Sequence, residues 1–386
     1  MNQIAYLDNA ATTKLDPQVL DAMIPYLGEF YGNPSSTYSL GRQSRLAIES
    51  SRKQIAEILG VKPTTIYFTS GGTESNNTAI SSAVKQLGCT HIITSPIEHH
   101  AVLHTVEHYC KDGKVTFSFV KLNASGEVDL ADLEIQLADK TKAGHKCFVS
   151  LMHANNEIGV LLDIEAVGAI SRRYGAIFHS DCVQTIGHYP INLSEAGVHF
   201  ASASGHKFHG PKGTGILYVS EGTNFNPLIH GGSQERKKRA GTENVAGIIG
   251  FTHALALSMN NLPYDRSYIS SLNKRMRMGL TSISRNITFN TDEKWLYTVL
   301  SVNFPAGSNT DLMLALMDRI GIFASGGSAC SSGDDGGSHV LTALNNGHSG
   351  ATIRFSFSKM TTVEDIDFAL ESISNILEKT SRPISA

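Results

Sequence analysis

The chain has 386 residues, of which 41% are hydrophobic and 17% are charged, and its formal net charge is −3. This length allows a large core and favours two domains over one, and the composition excludes a disordered chain. The nearly neutral charge gives no reason to expect nucleic acid or an acidic membrane surface as a partner. The one basic run, residues 236–239, is four residues long and lies in a Gly-rich stretch, so it favours a solvated or interface loop.

No apolar stretch reaches the roughly 18 residues of a membrane helix, and residues 1–8 lack the features of a signal peptide. The expected compartment is therefore the cytoplasm. The five cysteines are irregularly spaced and contain no Cys-x-x-Cys pair. This disfavours a disulfide framework and a cysteine-only zinc site, and leaves a single reactive thiol open.

The first predicted elements are helical. Asp16 before Pro17 is a start signal, and the apolar spacing that follows predicts a helix over 17–27. A turn-rich loop over 31–36 precedes a helical stretch over 41–59.

From Thr64 onward, short β-branched or aromatic runs alternate with helical patterns. Seven such runs predict strands, at 65–68, 91–94, 116–120, 147–152, 176–179, 200–203 and 215–219. This alternation predicts α/β architecture with a mostly parallel sheet. In such sheets ligands gather at the carboxyl ends of the strands.

The pattern changes after about Val245. A helical stretch over 246–258 leads to a loop over 260–263, which we take as the start of a second domain. A capping box in Thr361-Thr362-Val363-Glu364 predicts the start of a closing helix. Between them the sequence predicts a helix over 268–284, a strand over 297–304, a helix over 311–320 and a strand over 352–357.

Lys207 lies among small residues and hydroxyl donors, within the stretch 202–213. A cofactor bound as an imine requires such a lysine, although an ordinary Gly/Ser loop with a surface lysine has the same sequence pattern. Asp181 lies 26 positions earlier, at the end of an apolar run, and favours the first interpretation. Pyridoxal phosphate needs an amine for its Schiff base and a carboxylate that keeps its ring nitrogen protonated.

The stretch 68–74, Phe-Thr-Ser-Gly-Gly-Thr-Glu, lies between a predicted strand and a predicted helix. Glycines, a hydroxyl and free backbone N–H groups at a helix start can bind an anion, although a plain Gly-rich helix entry is the alternative. The Gly-x-x-x-x-Gly-Lys-Ser/Thr nucleotide loop does not occur, so ATP is disfavoured.

His99 follows the strand that ends near Thr94. A histidine there could lie flat over an aromatic cofactor and move protons near neutral pH; a surface histidine or a metal ligand are the rival interpretations. His100, His104 and His108 recur at helical spacing on one face. No carboxylate or cysteine motif accompanies them, so a functional zinc site is disfavoured.

Three more polar side chains stand at or in predicted strands. Asn156 follows one strand and Gln184 follows another, so they are either turn formers or donors brought to one place. Arg354 is a charge inside the apolar strand 352–356. An isolated buried charge is costly, so Arg354 should meet a carboxylate, either structural or on the substrate.

Cys330 stands alone in a stretch of glycines, serines and aspartates, residues 324–337. No apolar neighbours surround it in the sequence, so we expect an exposed, mobile thiol. It is either incidental or a nucleophile that visits a cofactor and then leaves with its cargo.

Together these motifs resemble the cysteine desulfurases of the NifS/IscS type, pyridoxal-phosphate enzymes of the class-V aminotransferase family with fold type I. The resemblance covers nearly the whole chain and rests on nine stretches in order, at 6–13, 32–35, 68–77, 153–159, 179–184, 204–207, 239–244, 328–330 and 353–356. It implies a large domain over 15–259 with a mostly parallel seven-stranded sheet. It also implies a smaller α+β domain, formed by 1–14 and 260–386, that carries the Cys330 loop.

The resemblance also implies roles for individual residues. Lys207 would bind pyridoxal 5'-phosphate covalently, Asp181 would pair with the ring nitrogen, and His99 would stack on the ring. Two amides, those of Gln184 and Asn156, would lie near the phenolic oxygen. The phosphate would be held by Gly72, Thr73, Ser204 and His206, and by Thr242 from the neighbouring subunit of an obligate homodimer.

For the substrate, the resemblance implies L-cysteine, bound through its carboxylate by Arg354 and Asn33, with Asn156 nearby. Cys330 would take the sulfur as a persulfide, leaving L-alanine, and pass it to an iron–sulfur scaffold protein and to other thio-cofactors. No resident metal is implied, although Cys330 could ligate a cluster transiently during transfer.

Two departures from the family pattern stand out. Gly72 occupies a position where related enzymes often have alanine, and the chain ends at Ala386 without the longer tail that helps some members dock a scaffold. The partner's identity therefore stays open. Selenocysteine lyase, a small-amino-acid aminotransferase and a catalytically idle sulfur-carrier dimer are the alternatives. Cys330 argues against the aminotransferase, and Lys207 with Cys330 argues against the idle dimer.

Overall fold

The computed structural model describes residues 3–306, 312–326, 338–344 and 350–380, so the predicted site residue Cys330 lies outside the described residues. Within them the helices are α1 (Pro17–Gly28), α2 (Ser39–Ile58), α3 (Gly72–Lys85), α4 (His100–Cys110), α5 (Leu130–Lys142), α6 (Ile164–Arg173), α7 (Gln234–Lys237), α8 (Val245–Asn260), α9 (Leu262–Ile283), α10 (Met313–Arg319), α11 (His339–Ala343) and α12 (Val363–Thr380). The strands are β1 (Ala5–Tyr6), β2 (Ile66–Thr69), β3 (His91–Thr94), β4 (Thr116–Phe119), β5 (Cys147–Ser150), β6 (Ile177–Asp181), β7 (Phe200–Ser204), β8 (Gly215–Val219), β9 (Thr288–Phe289), β10 (Val299–Asn303), β11 (Ile322–Phe323), β12 (Ser325–Gly326) and β13 (Thr352–Ser356).

The main sheet has seven strands in the order β2-β8-β7-β6-β5-β3-β4. Strand β8 runs antiparallel to both of its neighbours, and the other pairs are parallel. All seven strands form where they were predicted, with ends shifted by at most two residues. The predicted α/β class with a mostly parallel seven-stranded sheet is confirmed.

Helices cover both faces of this sheet. In β5, Phe148 packs on one side with residues of α3 and α4. The next residue, Val149, packs on the other side with residues of α2, α5, α6 and α8. Successive side chains of a strand point to opposite faces, so a strand buried on both sides must be apolar throughout. This explains the continuous apolar runs in the sequence.

A second hydrophobic core joins the two ends of the described chain. Ala5 and Leu7 are buried together with Leu272 of α9, Phe355 of β13 and Ile373 of α12. Here β12, β13, β10 and β9 form an antiparallel sheet, and β1 pairs in parallel with β11. The domain division at 15–259 against 1–14 plus 260–386 stays a prediction.

The start of α9 differs from the sequence-based prediction. The predicted loop over 260–263 is reduced to the single residue Asn261, and α9 begins at Leu262 rather than near 268. The reason is that Pro263 lies in the first helical turn, where its missing N–H is not needed.

In the described part of the chain no single helix has the length and apolar composition to cross a bilayer. Helices α8 and α9 meet the length and composition required for a membrane span only when they are taken as a pair, and the pair is bent by 77°.

The capping box of α12 lies one residue later than predicted. Thr362 Oγ1 accepts from the Asp365 N–H (3.1 Å), and Asp365 Oδ2 accepts from the Thr362 N–H (2.9 Å). The prediction of a box between Thr361 and Glu364 was therefore wrong. The hydroxyl of Thr361 accepts from the Ser358 N–H instead (3.1 Å), so it serves the preceding turn.

Candidate active site

A cavity of about 360 Å³ opens at the carboxyl ends of β2, β6 and β7. Most of the predicted site residues line it, as expected for this edge of a parallel sheet. Those that do are Gly72, Thr73, His99, Asn156, Asp181, Gln184, Ser204, His206, Lys207 and Arg354.

Lys207 ends a short 3-10 turn, Gly205–Lys207, directly after β7. Its Nζ donates to the backbone oxygens of Ala10 (2.7 Å) and Ala11 (2.9 Å). Gln184 Nε2 donates to the same Ala10 oxygen (3.1 Å). The N-terminal segment therefore forms one wall of the site and orients both side chains.

Asp181 ends β6 and is 5% exposed. Its carboxylate accepts from Asn76 Nδ2 (2.6 Å) and from the Val183 N–H (2.9 Å). No ion pair joins it to a basic side chain in the described ranges. A buried carboxylate with only neutral donors favours a cationic ligand in the cavity.

The turn over residues 70–73 connects β2 to α3. Gly71 has φ of 149°, and α3 begins at Gly72. The first N–H groups of a helix have no partner within the helix and attract anions. A Cβ on Gly72 would lie 2.5 Å from Cγ2 of Val183, so glycine allows this close approach. The turn therefore retains the features of an anion site.

Two more predicted phosphate ligands line the same cavity as this turn. Ser204 ends β7, and its Oγ would lie 3.5 Å from a Cβ on Gly71. His206 Nδ1 is hydrogen-bonded to Thr12 Oγ1 (3.2 Å). Burial lowers the pKa of His206 to about 4, so its ring is neutral at physiological pH.

His99 caps the N-terminus of α4. Its Nδ1 accepts from the Ala101 N–H (3.1 Å), so the proton of the neutral ring is on Nε2. Burial lowers the pKa of His99, which favours the neutral ring. The rings of His100 and His104 lie 4.8 Å apart on α4 and are tilted by 30°, but no group of three or more metal-ligating side chains in the described residues could hold an ion.

Arg354 meets a carboxylate, as its place in an apolar strand predicts. It is 1% exposed, and its Nη2 lies 2.7 Å from Asp8 Oδ1. Its Nη1 donates to the Asn156 backbone oxygen (3.0 Å). Its Nε is buried and has no hydrogen-bond partner among the described residues. The Nε–H is thus an unsatisfied buried donor in a side chain that lines the cavity.

Two predicted site residues do not line the cavity of this chain. Asn33 is exposed, and its Oδ1 accepts from the Ser35 N–H (2.9 Å). Thr242 is exposed in the loop after α7. Their assigned roles, like that of Cys330, stay predictions.

Several residues of the site were missed at the level of sequence. Asp8 and Asn76 bind predicted site residues, and Glu157 lines the cavity beside Asn156. Burial raises the pKa of Glu157 to about 7, and its Oε2 accepts from Ser338 Oγ (2.6 Å). Asn76 lies one helical turn after Gly72, so its position on the site-facing side of α3 was the available signal.

Comparisons with known proteins agree with this geometry. The family model for aminotransferase class-V matches residues 5–368. Cysteine desulfurase IscS of Dictyoglomus turgidum (strain DSM 6724 / Z-1310) is 42% identical over 384 residues, which cover 98% of this chain and 96% of the relative.

Solved structures are similar over the same extent. A NifS-like protein matches with a TM-score of 0.89 and 36% identity, over 98% of this chain and 100% of that one. A structure described as SspA in complex with cysteine matches with a TM-score of 0.78 and 30% identity, over 93% of this chain and 100% of that one.

Proposed function

The chain belongs to the aminotransferase class-V family, and we infer that it is a cysteine desulfurase that removes sulfur from L-cysteine and leaves L-alanine. The observation that carries this inference is that Lys207 and Asp181 line one cavity beside an anion-binding helix start. The names of the relatives support the activity, and the neighbour bound to cysteine supports the substrate.

The residues present fit pyridoxal 5'-phosphate as the cofactor. The start of α3 with Gly72 and Thr73, together with Ser204 and His206, would hold the phosphate. The buried carboxylate of Asp181, which lacks a cationic partner among the described residues, suits a protonated ring nitrogen. When bound, the cofactor draws electrons away from the substrate carbon.

Three other side chains that line the cavity would contact the cofactor ring. His99 would lie against the ring, and Gln184 and Asn156 would lie near the phenolic oxygen. Because His99 is neutral with its proton on Nε2, it can donate a hydrogen bond from Nε2 without carrying a charge into the site.

Arg354 orients the substrate. Its guanidinium lines the cavity and can bind the cysteine carboxylate, while Asp8 and the Asn156 backbone oxygen keep it in place. We assign Asn33 a second contact to this carboxylate. A substrate held in this way presents its α-carbon to Lys207.

Lys207 moves the substrate's α-proton. The backbone oxygens of Ala10 and Ala11 accept hydrogen bonds from Nζ, so they hold the amine at the cavity wall.

Cys330 is the proposed sulfur acceptor. Its thiolate forms a bond to the substrate sulfur as the carbon–sulfur bond breaks, and the electron pair of that bond stays on carbon. The carbon then takes a proton and becomes the methyl group of L-alanine. The Cys330 persulfide passes its sulfur to an iron–sulfur scaffold protein or to other thio-cofactors. Such chemistry needs thiols kept reduced, which fits the cytoplasm.

An apolar stripe on α1 supports a homodimer. Leu20, Ile24 and Leu27 recur on one helical face and are 43%, 53% and 64% exposed. A stripe of this kind on an isolated chain is typical of an interface. We assign it to a second copy of the chain, in which Thr242 would reach the neighbour's phosphate.

The test is incubation of the purified protein with L-cysteine and a reductant, with alanine and sulfide measured together. Equal amounts of both are expected. Cys330→Ala should stay yellow and loaded with cofactor yet release no alanine under turnover conditions, and normal turnover would rule the mechanism out. Lys207→Ala should lose the visible absorbance of the bound cofactor near neutral pH. An unchanged spectrum would remove Lys207 from this role.

A further inference from the structure

A six-residue segment, 234–239, braces the turn over 70–73, and we call it the buttress segment. Its backbone is left-handed at Glu235, Arg236 and Lys237, with φ of 43°, 58° and 65°. Non-glycine residues are unfavourable in this conformation, and three in succession persist only where the surrounding structure holds them. The side chains of this segment supply that hold through contacts with β2 and α3.

Glu235 anchors the buttress segment to β2. Its Oε2 accepts from the Phe68 N–H (2.9 Å) and from Arg52 Nη1 (2.9 Å), and its Oε1 accepts from Arg52 Nη2 (2.7 Å). Both side chains of this ion pair are 3% exposed. Arg236 adds hydrogen bonds to the backbone oxygens of Thr64 and Ile66, each at 2.8 Å. The strand that leads into the turn is thus held from the side.

Arg239 contacts the other end of the turn. Its Nε donates to Glu74 Oε1 (3.0 Å) and its Nη2 to Glu74 Oε2 (3.3 Å). The same Glu74 Oε2 accepts from the Ser70 N–H (2.8 Å), so the Glu74 side chain closes the turn across Gly71 and Gly72.

This arrangement places a carboxylate directly beside the proposed phosphate site. Glu74 is adjacent to Thr73 in sequence, and its side chain is only 8% exposed, so water screens its charge poorly. Burial acts to raise the pKa of Glu74, but hydrogen bonds from Arg239 and Ser70 outweigh it and keep the pKa below its usual value. The carboxylate is therefore ionised, and its charge repels any anion at the turn unless a cation cancels it.

We propose that Arg239 is a positioning residue for cofactor binding. By neutralising the charge of Glu74, it allows the turn over 70–73 to bind a phosphate dianion. The proposal rests on the proposed function, since it takes pyridoxal 5'-phosphate as the ligand of this turn. Arg239 need not touch the cofactor for this effect. Its role is to leave Glu74 free to hold the Ser70 N–H while contributing no net charge to the site.

The test compares two ligands on the full chain from which the cofactor has been removed. Pyridoxal 5'-phosphate and pyridoxal share the aldehyde and the ring, and only the first carries the phosphate; absorbance titration gives the affinity of each. For Arg239→Gln we expect the affinity for pyridoxal 5'-phosphate to fall about tenfold or more, while the affinity for pyridoxal changes less than about twofold. A merely structural role would weaken both ligands equally.

Two further variants isolate the charge effect. Adding Glu74→Gln to Arg239→Gln removes the uncompensated charge but keeps an acceptor for the Ser70 N–H, so it should restore most of the phosphate preference. Arg239→Lys keeps the cation and should retain most of it. Arg275→Gln, which breaks the exposed pair between Arg275 and Asp367 (2.6 Å), is the matched control and should leave both affinities unchanged.

The outcomes separate this proposal from the function on which it rests. Equal loss of both ligands in Arg239→Gln, no loss of either, or failure of the double variant to recover would overturn the role of Arg239 alone. A wild-type chain that binds pyridoxal 5'-phosphate no better than pyridoxal would refute the phosphate site itself, and the role of Arg239 would be refuted with it.

Discussion

At the scale of single residues, the charge state of Asp181 matters most. Its carboxylate is buried, receives hydrogen bonds from Asn76 and the Val183 N–H, and has no cationic partner in the described ranges. In a medium of low dielectric constant such a group binds a cation strongly. Under the proposed function that cation is the protonated ring nitrogen.

We therefore expect Asp181→Asn to lower kcat/KM for alanine formation by about 10²-fold or more, because the site loses its one fixed charge opposite the ring nitrogen. The amide is the same size, so the variant should still bind the cofactor through Lys207 and stay coloured. Asn76→Ala should cause a smaller loss, since it only loosens the carboxylate. Turnover of Asp181→Asn close to that of wild type would contradict this assignment.

His179 is one of several buried histidines, His206 among them, whose lowered pKa makes the fold less stable in acid. It is fully buried between Ser150 Oγ (2.9 Å) and Ser202 Oγ (3.2 Å), and burial lowers its pKa to about 4. In the unfolded chain a histidine titrates near 6.5. Between these values the unfolded state binds more protons, so stability is complete above about pH 6.5 and falls as the pH drops toward 4.

The free energy of unfolding, measured in urea from pH 7.5 to pH 5, should decrease with acid. His179→Asn should reduce the slope by up to about 1.4 kcal/mol per pH unit, the full contribution of one such group. An unchanged slope in this variant would show that His179 does not contribute to the loss of stability in acid.

The sequence predicted which kind of group each site residue needs as a partner better than which residue supplies that group. A charge in an apolar strand requires a counter-charge, and this predicted a carboxylate for Arg354; that the carboxylate belongs to Asp8, 346 positions away, depends on the fold. Ala10 and Ala11 contribute only backbone oxygens to Lys207, and no side-chain pattern can signal that.

At the scale of elements, close backbone approach fixes how α6 packs. A Cβ on Gly168 would collide with the backbone oxygen of Ala196 and would lie 3.1 Å from its carbonyl carbon. Because these are backbone atoms, no rotamer change relieves the contact. Only glycine allows α6 to lie this close to the segment at 196–197.

Gly168→Ala should therefore lower the free energy of unfolding by about 1–3 kcal/mol, although alanine favours helix by about 1 kcal/mol. Gly28→Ala at the end of α1 is the matched control, since nothing lies within 4 Å of its Cβ. It should be neutral or slightly stabilising in the same urea titration. Equal stabilities of the two variants would contradict the packing argument.

Most strands of the main sheet were predictable because they are buried on both faces and are bounded by turn residues. The edge strand β4 is largely exposed, and its β-branched and aromatic residues were the signal instead. The direction of β8 was not predictable, because an apolar run such as Gly215–Val219 looks the same in a parallel or an antiparallel strand. The position of the capping box was missed for a similar reason: two threonines stand side by side, and only the preceding turn decides which one caps α12.

At the scale of the whole molecule, the exposed stripe on α1 predicts the oligomeric state. The wild-type chain should sediment with about twice its monomer mass of 41.6 kDa. Ile24→Glu places a charge in the stripe and should yield monomers, because a buried unpaired charge is costly. Ile135→Glu, at a site on α5 that is 61% exposed, is the control and should stay dimeric. A monomeric wild type would remove the stripe from this role.

The hydrogen bonds that Lys207 donates to Ala10 and Ala11 have a consequence for biosynthesis. The segment that carries these two residues is fixed by β1 pairing with β11 and by the bridge between Asp8 and Ser356. On the ribosome the first residues emerge early, but their pairing partners are translated more than three hundred codons later. A nascent chain thus cannot fix the backbone oxygens that accept from Lys207 Nζ until the residues of β11 and β13 have been made.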